Sequence, residues 1–118
     1  MPLRLSMVLP GVAALLVLGG AARPQTEAPK GDPERGRATF TKVGCYQCHG
    51  REAQGSPATG PRLGPDPRPY PAFAEWVRRP RGEMPPYTTR VLSDTALADI
   101  YAFVASRPKP PSLKRTGI

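Results

Sequence analysis

Apolar residues of this 118-residue chain recur at helical spacing in three places. Behind Asp32-Pro33-Glu34, Gly36, Phe40 and Val43 share one face. Asp at the N-cap, Pro at the first helical position and an acid in the first turn predict a helix running to Val43. A Gly inside a helix costs about 1 kcal/mol relative to Ala, so Gly36 implies a close crossing by a second helix. The candidate partner is Ser93 to Ser106. There Ser93 caps, Leu97, Ile100, Tyr101 and Val104 follow the i, i+3, i+4, i+7 pattern, and Phe103 widens the stripe. Pro108 ends it. A shorter helix is predicted from Pro71 to Arg79, with Phe73, Trp76 and Val77 on one side.

The N-terminus has a different pattern. Met1 to Met7 carries one positive charge, Val8 to Leu18 is apolar apart from Pro10 and Gly11, and Gly19 to Ala22 are small. Residues 1–22 read as an export signal, which sends the remainder to an extracytoplasmic, oxidising compartment, the periplasm of a bacterium. Left uncleaved, the same segment is an N-terminal membrane anchor. Residues 23–31 are polar and Pro-containing and read as a flexible spacer. A single domain is expected over 32–107, and 108–118 reads as a Pro-rich basic tail.

Composition changes the picture in two ways. Residues 23–118 hold only nineteen apolar side chains larger than Ala or Cys, too few for a comfortable core in a domain this small. Something besides side chains should complete the core. Residues 50–71 hold four Gly and six Pro and read as one long loop, a length expected only where the loop has a job such as wrapping a large flat cofactor. The 17 Lys and Arg outnumber nine acidic residues. That excess favours acidic partners through long-range steering. The basic residues are scattered singly with no binding motif beside them, so no nucleic-acid partner is expected.

Cys45-Tyr46-Gln47-Cys48-His49 is C-x-x-C-H, the attachment signal for c-type haem. On a helical turn Cys45 and His49 are i and i+4 and share a face, with Cys48 beside them. Two thiols can then add to the two haem vinyl groups while the imidazole reaches the iron from the same side. A thioredoxin-like redox pair would want a βαβ context that the chain lacks. A closed zinc site needs four ligands, and the chain holds two Cys and one His. A plain disulfide leaves the adjoining His unexplained.

Candidates for a sixth iron ligand are few. There is no second His, and Met1 and Met7 fall in the leader, which leaves Met84. It lies in Arg81-Gly82-Glu83-Met84-Pro85-Pro86-Tyr87, where the prolines hold Met84 extended and the loop stiff. The competing role for Met84 is to fill a gap in the core.

With these motifs in order, the chain resembles the monohaem class I cytochromes c of bacteria. The likeness spans about residues 32–107: the Gly-x-x-x-Phe helix, C-x-x-C-H-G, Gly-Pro-x-Leu, Met-Pro-Pro-Tyr and a terminal helix led by Leu-Ser-Asp. It implies a small all-α fold of three to five helices with long Pro- and Gly-rich loops around one covalent haem. It implies that Gly36 and Phe40 pack across Ile100 and Phe103, and that the Pro61 carbonyl accepts from the second nitrogen of His49. It further implies that Leu63 touches the haem face and that Trp76 reaches a propionate. Pro65, Pro67, Pro69 and Pro71 depart from the family pattern, which is helical there.

Iron held by His49 and Met84 changes charge without opening a binding site, and an axial Met raises its potential relative to a second His. The expected role is single-electron transfer, not catalysis, with weak, salt-sensitive docking to redox partners that carry an acidic patch. Such a domain serves as a free shuttle or as the haem subunit of a larger exported dehydrogenase or sulfur-oxidising complex. The alternative is a five-coordinate haem protein that binds a small ligand or reduces peroxide, which requires Met84 to be off the iron.

Overall fold

The computed structural model describes residues 27–112. The expected export signal, the start of the spacer and residues 113–118 of the tail lie outside the described residues. Four helices follow in order: α1 Pro33–Lys42, α2 Tyr46–His49, α3 Tyr70–Arg78 and α4 Asp94–Ala105. The described residues contain no strand, only an isolated bridge between Ser56 and Gly60. None of their helices is long and apolar enough to cross a membrane.

The caps lie where the residue types favour them. Asp32 accepts from the Arg35 amide at the start of α1, and Ser93 accepts from the Ala96 amide at the start of α4. α3 begins at Tyr70 and not at Pro71. Pro71 therefore sits at the second helical position, where its missing N–H would have had no partner within the helix.

α1 crosses α4 at Gly36. A Cβ there would collide with the Asp99 carbonyl and come within 2.9 Å of Phe103 Cβ, so only the bare glycine backbone lets the helices approach. The contact falls one residue before Ile100, on the Asp99 backbone. Gly31 lies equally close to the Ala98 carbonyl, so packing begins inside the expected spacer. One turn on from Gly36, the Phe40 and Phe103 rings meet with centroids 5.3 Å apart. α3 docks through Tyr101, whose ring takes Tyr70 and Phe73 edge-on at 5.2 and 5.1 Å and whose hydroxyl donates to the Arg68 carbonyl.

Phe40, Ala53, Phe73, Val77, Leu92, Leu97, Ile100, Phe103 and Val104 form the buried core. Polar ties close its edges. The buried carboxylate of Asp99 accepts from the Asp32 amide at 2.7 Å and from Arg35 Nε at 3.0 Å, fastening the start of α1 to the middle of α4. Glu52 accepts from both Arg37 and Arg107, so the 50–64 loop is clamped to α1 and to the chain just past α4.

Candidate functional site

Gly44 releases the chain from α1 with a positive φ of 86°, a conformation that favours glycine. Cys45 then takes helical dihedrals at the start of α2, and the His49 amide donates to the Cys45 carbonyl at 3.0 Å. The motif is thus a true helical turn, with Cys45 and His49 at i and i+4. Cys48 is exposed, Cys45 is half-buried against the core, and the two thiols are unbridged. Burial pushes the Cys45 thiol up to about 11, so it stays protonated at neutral pH.

His49 is buried, at 8% exposure. Its Nδ1 lies 2.9 Å from the Pro61 carbonyl. A carbonyl can only accept, so Nδ1 carries the proton and Nε2 holds the free lone pair. Among the described residues no sealed side-chain nitrogen or oxygen lacks a partner. Nε2 has no partner there, and it therefore faces an opening.

The long loop makes this possible. The Gly55 amide donates to the His49 carbonyl at 2.7 Å, and Thr59 Oγ1 donates to the Cys48 carbonyl at 2.7 Å. A Cβ on Gly60 would stand 3.1 Å from both the Cys48 carbonyl and His49 Nδ1. The loop thus lies tightly beneath α2 and supplies the acceptor that sets the imidazole.

Leu63 and Met84 are half-buried and pack against the same core cluster as Cys45. Trp76 stands apart from that cluster. It is half-buried on α3 with the Arg68 guanidinium 4.9 Å over its ring. Met84 rides on a loop anchored at Tyr87, whose amide donates to the Val77 carbonyl and whose hydroxyl donates to the Val43 carbonyl, both at 3.0 Å. Arg78 donates to the Tyr87 and Leu92 carbonyls and to Asp94. Neither anchoring contact is evident in the sequence, where Tyr87 closes the Met-Pro-Pro-Tyr motif with no partner indicated and Arg78 is the first of two adjacent arginines.

The donor set fits a covalent haem. It offers two thiols and one imidazole on a single helical turn, the imidazole held in one tautomer with its other nitrogen open. Cys45, Leu63 and Met84 are half-buried against the same core cluster. Fixing the second ring nitrogen is what orients a metal-binding imidazole.

A family model described as cytochrome C oxidase, cbb3-type, subunit III matches residues 31–104. A search of curated proteins finds no match. The matched span runs from Gly31, where packing begins, to Val104 near the end of α4, and it takes in both thiols, His49 and Met84. The chain belongs to this cytochrome c family, whose domain binds haem for electron transfer.

Proposed function

We propose that the protein is an exported monohaem c-type cytochrome that passes single electrons between partner proteins. Cys45 and Cys48 would hold the haem covalently, and His49 Nε2 and Met84 would ligate its iron. The observation that carries this reading is the His49 ring, buried on the thiol-bearing turn with Nδ1 committed to the Pro61 carbonyl and Nε2 left open. When bound, the haem supplies an iron that changes oxidation state by one electron.

The chain's own residues keep that change reversible. Pro61 fixes the imidazole tautomer, the loop of residues 50–64 seats the turn, and Leu63 and Met84 add apolar cover. A fixed ligand set keeps reorganisation on electron transfer small. Lys42, Arg51, Arg62, Arg81 and Arg90 supply positive charge for docking an acidic patch on a donor or acceptor. Each lies within ten residues of a thiol, His49, Leu63 or Met84, and none forms an ion pair among the described residues. Weak, fast, salt-sensitive association follows. The leader at 1–22 supports export to the periplasm.

The test is to produce the holoprotein in a host that attaches haem outside the cytoplasm. One haem should remain with the polypeptide in acidified organic solvent. The bound haem should cycle reversibly by one electron, and the reduced protein should not bind carbon monoxide. Haem lost to the solvent phase would refute attachment. Rapid carbon monoxide binding would refute the Met84 ligand and favour a five-coordinate ligand-binding protein.

A further inference from the structure

We infer that Arg78 is the positioning residue for Met84, acting as a three-way knot at the base of the loop that carries it. The inference rests on the Met84 ligand proposed above. Residues 80–86 make no backbone–backbone hydrogen bond among the described residues. Apart from its side-chain packing on the core, Met84 therefore has no backbone bonds of its own segment to fix it. Its place is inherited from Tyr87, three residues on, through Pro85 and Pro86, whose fixed φ angles make the connection stiff.

Tyr87, besides its own bonds to the Val77 and Val43 carbonyls, is held by Arg78. One terminal nitrogen, Nη1, donates to the Tyr87 carbonyl at 2.9 Å and to the Leu92 carbonyl at 2.7 Å. The other, Nη2, donates to Asp94 Oδ1 at 2.7 Å at the first residue of α4. A single planar guanidinium thus joins the end of α3, the returning limb of the loop and the start of α4. The side chain is mostly buried, at 18% exposure, so these bonds are shielded from competing water. No other side chain in the segment ties so many elements. Arg79 next to it makes only an exposed pair with Glu75 on its own helix.

Without Arg78 two loop carbonyls lose their donor and solvate by pulling the loop outward, which raises the population in which Met84 is off the iron. The effect should be seen at the iron and not in attachment, because both thiols sit on α2.

Four holoproteins decide it: wild type, Arg78→Met, Arg79→Met and Arg78→Lys. Far-ultraviolet circular dichroism and covalent haem content serve as folding controls. Arg78→Met keeps an unbranched stem but none of the donors. It should retain covalent haem, weaken the near-infrared sulfur-to-iron band of the oxidised protein, and speed carbon monoxide binding to the reduced protein about tenfold. Arg79→Met, which removes the same charge one residue away, should match wild type. Arg78→Lys, whose ammonium lacks the planar fork, should bind carbon monoxide severalfold faster than wild type.

A folded Arg78→Met protein with wild-type band and carbon monoxide rate overturns the inference, and so does equal loss in Arg79→Met. If Arg78→Met does not fold, Arg78→Lys decides, and a wild-type rate there overturns it. A wild-type protein that itself lacks the band overturns the Met84 reading, and this inference with it.

Discussion

The carbonyl oxygen of Asp99 occupies the space that a Cβ on Gly36 would need. The neighbour is backbone inside α4, so it cannot swing aside as a flexible side chain would. Any side chain at position 36 must push α1 off α4 and disturb the Phe40–Phe103 contact one turn away. Overpacking of this kind costs about 1–3 kcal/mol, and an unyielding backbone contact puts Gly36→Val at the top of that range. Ala38 lies on the exposed side of the same helix. Ala38→Val should cost no more than about 0.5–1 kcal/mol, mainly through helix propensity. Thermal unfolding of the two holoproteins checks this, and equal losses would place the crossing elsewhere.

Gly36 was legible in the sequence because a helix-interior glycine is locally unfavourable and demands a reason. The C-x-x-C-H turn was legible because its geometry is set within five residues. Helix ends were readable from Asp32 and Ser93, whose capping is local. The partners of Asp99 were not readable. On sequence it is a polar residue in an amphipathic helix, and the groups that bury it, the Asp32 amide and Arg35, lie more than 60 positions away. Arg78 was hidden for the same reason, since its two carbonyl partners lie on a loop with no periodic pattern. Composition predicts the 50–71 loop as a wrapper for a cofactor. Its hydrogen bonds show it also seating α2, through amide and hydroxyl contacts that composition does not encode.

Asp99 should make the fold acid-sensitive. Its carboxyl is held below the ordinary carboxylate range, first by the Arg35 guanidinium and then by the Asp32 amide. A group whose folded value is depressed contributes stability that is complete above its unfolded value, about 3.9, and that is lost as pH falls through the lower folded value. Glu52 is lowered in the same direction, by Arg37 and then Arg107. Stability should therefore be flat from neutral pH to about 5 and fall steeply below about 4. Asp99→Asn should lose about 1–2 kcal/mol at pH 7 by weakening charge-assisted bonds to α1, and should show a shallower acid limb. Urea titrations at pH 7 and pH 3 measure both effects. A variant with the wild-type pH slope would show that Asp99 is not a source of the acid limb.

The apoprotein should be largely unfolded. Nine buried apolar side chains form the core, two of them Val and one only Ala. Cys45, Leu63 and Met84 stay half-buried against that core, which leaves apolar surface uncovered. Buried apolar area is worth about 25 cal/mol per Å², and a haem face supplies area this short chain cannot. Replacing both Cys45 and Cys48 with Ala should abolish covalent haem and leave little helical circular dichroism. A cooperative, haem-free unfolding transition in that double variant would show that side chains alone complete the core.

Met84 separates an electron carrier from a ligand-binding protein, and the loop that carries it makes the substitution clean. Residues 80–86 contribute no backbone hydrogen bonds among the described residues, and the thiols lie on a different element. Met84→Ala should therefore leave covalent haem and the α1–α4 crossing intact while opening the sixth position. Carbon monoxide should then bind the reduced protein readily, the sulfur-to-iron band should vanish, and the potential should fall, because a thioether favours the reduced iron. Met84→His asks for more of the loop. Imidazole stabilises the oxidised iron better than a thioether does, so six-coordination should return at a potential below wild type. Recovery of carbon monoxide resistance in Met84→His, together with its loss in Met84→Ala, would place position 84 at the iron. If Met84→Ala stays closed to carbon monoxide, the sulfur fills a core gap and the sixth ligand lies elsewhere.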